Sequence, residues 1–265
     1  MIKLIAVDMD GTFLNSNQDY DRERFAAVHA AMTARGIQFV VASGNQYYQL
    51  RSFFSAYPET IYVAENGAYI RDAKQTYATH TFSPEATDQI TDFLSSDPAL
   101  SVIACGVGAA YVRALEGPEY IAQTRRFYHR LEVRDDLTIY GDPIMKFGVN
   151  MAPARTQEYL ARFTEAFAGI AEVTSSGHGD IDIIQPGRHK AAGLKELGAR
   201  LGISLADMAA FGDGGNDLEM VREVGLGVAM KNAAPAVLAA ADVITEKTND
   251  EAGVCDFLER YFATH

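Results

Sequence analysis

Positive charge is scarce in this chain of 265 residues: 23 Lys and Arg stand against 35 Asp and Glu, a formal net charge of −12. A protein that grips a phosphodiester backbone or an anionic membrane surface needs the opposite balance, so nucleic acid and membrane are set aside as partners. A small anionic substrate stays open wherever a local site supplies cations. Cysteine is nearly missing as well. Cys105 and Cys255 lie far apart and in no metal-like spacing, which argues against a disulfide framework and for a reducing cytoplasm. No apolar run reaches the roughly 18–20 residues of a membrane span. The opening MIKLIAV meets charge too soon to be the apolar region of a signal peptide. Internal repeats, low-complexity tracts and long charge blocks are absent too.

What the chain does have is apolar material, 48% of its residues, enough for one large domain or two modest ones. KLIAV (3–7) reads as a strand buried on both faces. Residues 21–34 show helical apolar spacing, closed by Arg35-Gly36. A strand (37–43), a helix from Asn45 and a strand (60–67) follow, a rhythm that predicts a parallel sheet with helices on its faces. The rhythm then breaks. YIRDAKQTYATHTF reads as a hairpin, and residues 83–186 mix strands and helices irregularly, including a helix over 118–130 and a strand over 144–151. After Gly187 strand and helix alternate again. The simplest account is an α/β domain of residues 1–82 and 187–265, with an α+β domain of residues 83–186 inserted in it.

The chemistry gathers at strand ends. In VDMDGT, Asp8 and Asp10 are two apart on extended backbone and point the same way, with Met9 turned inward. Like charges so close call for a cation or a proton, and a hard divalent ion such as Mg²⁺ is the natural neutraliser. Gly11-Thr12 suits a turn whose N–H groups face an anion. The plainer reading is a turn with two solvated acids. A calcium-binding helix–loop–helix fits worse, because the Gly comes too early and the flanks do not match. In AAFGDGGNDLEM a second strand ends in acid at Asp213, and Asn216-Asp217 open a helix. Asp217 reads either as a simple cap or as part of a site. If the two strands are neighbours, Asp8, Asp10, Asp213 and Asp217 converge, which is hard to explain without metal. A lone unit of a calcium-binding repeat is the other reading, but such units come in arrays.

Two further pieces fit an anion site. Ser43-Gly44-Asn45 ends a strand just before a helix, as a phosphate grip or as an ordinary cap. The G-x-S-x-G elbow is missing, so Ser43 is not read as a serine-hydrolase nucleophile. Lys190 stands at a helix start, where a cation opposes the helix dipole. It is either solvated or set against a nearby negative site. His189 reads as a surface or packing residue.

In this order, DMDGT, ASGN, HKA and GDGGND resemble the signature of the haloacid dehalogenase (HAD) superfamily, and all four match without departure. The insertion between the second and third pieces resembles a C2-type (C2B) cap domain. This is similar to the Cof-type phosphatases of subfamily IIB, and VVASGNQYYQL, VAENGA, IMKFGVN and IDIIQPGRHKA look like the SupH-type sugar phosphatases in particular. The resemblance spans the chain and implies a Rossmann-like α/β core with a parallel sheet, plus an inserted cap that decides the substrate.

It also implies roles. Asp8 would be the nucleophile, forming an aspartyl-phosphate. Asp10 would be the acid and base. Mg²⁺ would be held by the Asp8 carboxylate, the Asp10 carbonyl and Asp213, with Asp217 orienting that shell from behind. Gly11, Ser43, Gly44, Asn66, Lys190 and Asn216 would hold the phosphate or substrate. Glu65, Asn66 and Gly67 near the crossover, and Lys146, Asn150, His178 and Asp180 in the cap, are the candidates for contact with the leaving group, whose hydroxyls polar residues would suit. The expected activity is Mg²⁺-dependent hydrolysis of small phosphorylated metabolites, above all hexose or pentose phosphates, by a cytoplasmic monomer or weak homo-oligomer. The rivals are a phosphotransferase or phosphomutase using the same intermediate, and a non-catalytic phosphosugar sensor. Dehalogenation fits worse, since that chemistry does not need the metal that the acidic loop serves.

Overall fold

The computed structural model describes residues 1–137, 141–177 and 179–264. The N-terminal part supplies β1 (Leu4–Val7), α1 (Arg22–Ala34), β2 (Gln38–Ala42), α2 (Tyr47–Phe53), β3 (Ile61–Ala64), β4 (Tyr69–Arg71) and β5 (Thr76–Thr79). The middle supplies α3 (Pro84–Ser95), β6 (Ser101–Gly106), β7 (Ala110–Arg113), α4 (Pro118–Thr124), β8 (Leu131–Arg134), β9 (Ile144–Asn150), α5 (Thr156–Ala166), β10 (Glu172–Gly177) and β11 (Asp180–Ile184). The C-terminal part supplies α6 (Lys190–Leu201), β12 (Met208–Gly212), α7 (Leu218–Glu223), β13 (Leu226–Ala229), α8 (Pro235–Ala240), β14 (Val243–Ile244) and α9 (Gly253–Thr264).

These strands form two sheets among the described residues. One has the order β14-β13-β12-β1-β2-β3-β4-β5. Its strands from β14 to β3 are parallel, and the β4–β5 hairpin adds antiparallel to β3. Chain segments from both ends of the sequence thus share one sheet, with β1 at its centre between β2 and β12. The other sheet has the order β10-β11-β9-β6-β7-β8 and is antiparallel except for the β7–β8 pair. It draws every strand from the middle of the chain.

The first sheet is covered on both faces, and β1 shows why its sequence is apolar throughout. Ile5 and Val7 pack into a cluster with Phe25, Val28 and Leu258 from α1 and α9. Leu4 and Ala6 pack the other way, with Ala191, Leu194 and Leu197 of α6. Met9 continues the parity of Ile5 and Val7 into the first cluster. Asp8 therefore inherits the parity of Leu4 and Ala6, on the side where α6 begins. The middle sheet has its own core, with Phe147, Ile181 and Ile183 against Tyr159, Phe163 and Phe167.

Three boundaries differ from expectation. The strand expected over 60–67 ends at Ala64, and Glu65–Gly67 makes one tight turn instead. Glu65, Asn66 and Gly67 all have positive φ, of 51°, 55° and 94°, which no strand accommodates. Gly67 is needed there, because a Cβ would lie 2.7 Å from the His189 carbonyl oxygen at the start of α6. The helix expected over 118–130 stops at Thr124, whose Oγ1 bonds back to the Tyr120 carbonyl. The helix expected to open at Asn216-Asp217 begins with a single 3₁₀ turn, Gly215–Asp217, before α7.

Candidate active site

Adjacent parallel strands carry their carboxyl ends to one edge, so β1 delivers Asp8 and Asp10 beside the Asp213 that follows β12. The turn after β1 is tight. The N–H groups of Thr12, Phe13 and Leu14 all donate to the Met9 carbonyl. Gly11, at φ +76°, brings the backbone so near Asp213 that a Cβ there would collide with its carboxylate. Thr12 Oγ1 donates to Asp213 Oδ1 over 2.7 Å and fixes that carboxylate from the other side.

Lys190 lies behind these acids. It is buried, and its Nζ donates to Asp8 Oδ1 at 2.5 Å and to Asp217 Oδ1 at 2.6 Å. The opposite Asp217 oxygen accepts from the backbone N–H groups of Asp213 (2.9 Å) and Gly214 (3.0 Å). Asp217 thus has both oxygens engaged, and it orients the loop that bears Asp213. Burial works against the charge on Lys190, but Asp217 and Asp8 outweigh burial and hold the ammonium above its ordinary range. Burial and the charge of Asp217 push the Asp8 carboxyl well above its usual range, against the pull of Lys190. Burial, then the charge of Asp217, push Asp213 up to about 6, with the Thr12 hydrogen bond opposing them. One oxygen from each of Asp8, Asp213 and Asp217 lies within 4.8 Å of the others. Three carboxylates against one ammonium leave an excess of negative charge at the cluster, and hard oxygen donors are what a divalent cation takes up.

A cavity of about 590 Å³ opens over this edge. Asp8, Asp10, Gly11, Ser43, Gly44, Asp213 and Asn216 line its floor. Asp10 is held by Asn45, whose Nδ2 donates to Asp10 Oδ2 over 2.7 Å. Ser43 is buried, and its Oγ accepts from the Asn45 N–H, tightening the turn into α2. The middle sheet forms the roof, with Lys146, Gly148, Asn150, Asp180 and Asp182 facing inward. Tyr120 and Tyr128 close one side.

Two residues expected at the phosphate are set back from the cavity lining. Lys190 stands behind Asp8. Asn66 is buried in the wall, where its Nδ2 donates to Asp182 Oδ2 over 2.7 Å. Glu65 is buried too and faces Lys146, whose Nζ lies 3.5 Å from its Oε2. Gly67 is wedged against α6. Lys146 reaches across to the floor, donating to the Gly44 carbonyl (2.7 Å) and to Asp182 (3.1 and 3.2 Å). Asn150 and Asp180 bond to each other over 2.8 Å at the far end of the cavity. His178 lies outside the described residues. His189 proves to be the cap of α6, its Nδ1 accepting from the Ala192 N–H.

Asp182 is a charged cavity residue outside the candidates named from the sequence, and the cavity residues Tyr120 and Tyr128 are outside them too. The signal was present: DIDII alternates, so whatever places Asp180 at the cavity places Asp182 there as well. Among the described residues no helix is long and apolar enough to cross a membrane.

The family pattern described as haloacid dehalogenase-like hydrolase matches residues 5–258. The 5-amino-6-(5-phospho-D-ribitylamino)uracil phosphatase YbjI of Escherichia coli is 42% identical over 98% of this chain and 96% of its own. The Bacillus subtilis YcsE, a phosphatase named for the same compound, is 28% identical over 98% of this chain and 96% of its own. The crystal structure of SMU.1108c from Streptococcus mutans superposes with a TM-score of 0.93 at 33% identity, covering 99% of this chain and all of that one. With four matching motifs, one acidic strand edge and full-length similarity in sequence and fold, the chain belongs to the haloacid dehalogenase-like hydrolases, as one of their phosphatases.

Proposed function

We propose that this protein is a Mg²⁺-dependent phosphatase that hydrolyses small phosphate monoesters of sugars and sugar-derived chains through an aspartyl-phosphate on Asp8. The observation that carries the reading is the buried bridge from Lys190 to Asp8 and Asp217, with Asp213 turned to the same point. It holds one carboxylate oxygen of Asp8 and leaves the other for the cavity.

Asp8 attacks phosphorus and the ester oxygen departs with a proton from Asp10. Asp10 then takes a proton from water. The hydroxide formed attacks phosphorus, freeing inorganic phosphate and restoring Asp8. Asn45 aims Asp10 for both transfers through its bond to Oδ2. Ser43, Gly44, Gly11 and Asn216 surround the phosphoryl oxygens from the cavity floor. Lys190 offsets the repulsion between the nucleophile and the phosphate dianion. Asp8, the Asp10 carbonyl and Asp213 are the residues that would hold Mg²⁺, which supplies charge stabilisation to the phosphoryl oxygens.

In this reading residues 1–82 and 187–265 form the catalytic unit and 83–186 the cap that chooses the substrate. The phosphorylated ribityl compound named for the Escherichia coli and Bacillus subtilis relatives is a leading candidate, because it joins a hydroxyl-bearing chain to a planar ring. Two buried free thiols, Cys105 and Cys255, suit a reducing cytoplasm.

The test is p-nitrophenyl phosphate turnover with Mg²⁺ and with EDTA, followed by product analysis in isotopically labelled water and in the presence of an added alcohol. Metal-dependent release of labelled inorganic phosphate supports a phosphatase. Transfer to the alcohol as the main outcome supports a phosphotransferase instead, and no turnover supports a sensor.

A further inference from the structure

The roof of the cavity is a sheet face with a gap in it. Across the strands, Ile103 of β6 pairs with Gly148 of β9, Gly148 with Asp182 of β11, and Asp182 with Thr174 of β10. Ile103, Thr174 and Asp182 all line the cavity. Gly148 leaves the place beside Asp182 without a side chain of its own, and a Cβ there would lie 3.3 Å from the Tyr128 hydroxyl and 3.8 Å from Asp182 Oδ1. The Asp182 carboxylate lines the cavity with a quarter of its side-chain surface open (26%).

The same carboxylate stands next to the phosphate end of the cavity. A Cβ on Gly44 would lie 3.4 Å from Asp182 Oδ2. A group bonded to a carbon near the phosphoester would therefore lie within reach of Asp182. Asp182 is held in place from behind by Asn66 and Lys146. Lys146 is the one cation among the described cavity-lining residues. Its ammonium is committed to the Gly44 carbonyl and to Asp182, with Glu65 close by. An incoming anion finds no free positive charge at this wall, and finds a carboxylate that only accepts hydrogen bonds.

We propose that Asp182 is a specificity-determining residue for the leaving group. It accepts a hydrogen bond from a hydroxyl one or two carbons from the phosphoester, and it turns away esters whose leaving group carries a second anion at that place. Selection then comes from attraction to one class and repulsion of the other. This rests on the phosphatase reading above and adds which esters that site prefers.

The experiment compares kcat/KM for three esters in the wild type, Asp182→Asn and Asp182→Glu, all with Mg²⁺. Ribitol 5-phosphate offers hydroxyls, phosphoglycolate offers a carboxylate, and p-nitrophenyl phosphate offers neither and serves as the internal reference. The wild type is expected to favour ribitol 5-phosphate over phosphoglycolate by about 100-fold or more. In Asp182→Asn the ratio of phosphoglycolate to the reference should rise about tenfold, because the repelling charge is gone and Lys146 is released. Its ratio of ribitol 5-phosphate to the reference should fall about tenfold, chiefly through KM. Asp182→Glu keeps the charge on a longer arm, so it should keep rejecting phosphoglycolate while losing preference for the polyol. A fall of all three substrates by a common factor in either variant would mean that Asp182 only supports the wall, and would overturn the proposal. So would equal wild-type rates on ribitol 5-phosphate and phosphoglycolate. No wild-type turnover of p-nitrophenyl phosphate would overturn the phosphatase reading itself and this inference with it.

Discussion

Replacing Lys190 with Met removes one buried charge and keeps most of the side-chain volume. Two carboxylates, Asp8 at 2.5 Å and Asp217 at 2.6 Å, then lose their shared counter-charge at a buried position. Breaking a buried pair in this way costs about 3–5 kcal/mol. The loss has a ceiling, because a stranded carboxylate can take up a proton instead. Holding one carboxyl protonated in the folded state costs about 1.4 kcal/mol for each pH unit above its unfolded value near 4. At pH 7.5 that ceiling is about 5 kcal/mol, and at pH 5 about 1.5 kcal/mol. Carboxyls raised in the folded state leave stability intact below pH 4 and erode it as pH climbs, so the variant should suffer most at high pH. For a chain of this size about 2–4 °C accompanies each kcal/mol. Thermal unfolding followed by circular dichroism in EDTA should therefore show Lys190→Met melting about 6–20 °C below the wild type at pH 7.5 and about 3–6 °C below it at pH 5. A deficit that is the same at both pH values, or no deficit at either, would refute the idea that Lys190 neutralises a buried acidic cluster.

Other perturbations follow from the same geometry. Glu65 is fully buried near Lys146 and Asp182, and burial pushes its carboxyl up to about 7. The unfolded chain ionises near pH 4.5 and the folded one only near 7, so the wild type loses stability as pH rises through that window. Glu65→Gln should match it at pH 4.5 and exceed it by about 3 kcal/mol above pH 7.5; denaturant melts at both pH values with a constant difference would contradict this. Gly11→Ala forces a Cβ into the Asp213 carboxylate at φ +76°, so it should cost at least about 1 kcal/mol and raise the Mg²⁺ concentration needed for half-maximal turnover. An unaltered metal titration would show that Asp213 is not held by that turn.

The floor of the site was legible because its signals are local. Asp8 and Asp10 share a parity along β1, and that parity follows from the strand's alternation between two cores. What β1 could not reveal was its neighbour: the pairing with β12 joins residues about two hundred positions apart, and only the motif resemblance tied them together. The sequence predicts a strand end at Glu65–Gly67, near the crossover, with these residues as candidates for contact with the leaving group. Three successive left-handed residues rotate Glu65 and Asn66 into the wall; Asn66-Gly67 suits a turn, but nothing in the sequence gives Glu65 a positive φ. Lys146, a candidate for contact with the leaving group, lines the cavity, and its partners Gly44 and Asp182 come from two other segments of the chain. Asp182 is legible as a cavity residue in the alternation of DIDII, but its neighbours Gly148 across the sheet and Gly44 beneath it come from other segments.

The claim on which the rest depends is that Asp8 carries the phosphoryl group in mid-reaction. Asp10→Asn tests it directly with p-nitrophenyl phosphate, whose leaving group departs without a proton, while discharge of the intermediate still needs a base. Acid quenching of the variant after mixing with this ester, followed by peptide mass spectrometry, should find one added phosphoryl group on the N-terminal peptide, at Asp8, and none in Asp8→Asn. A phosphoryl group on Ser43 or another side chain, or a burst of p-nitrophenol with no modified peptide, would contradict the account.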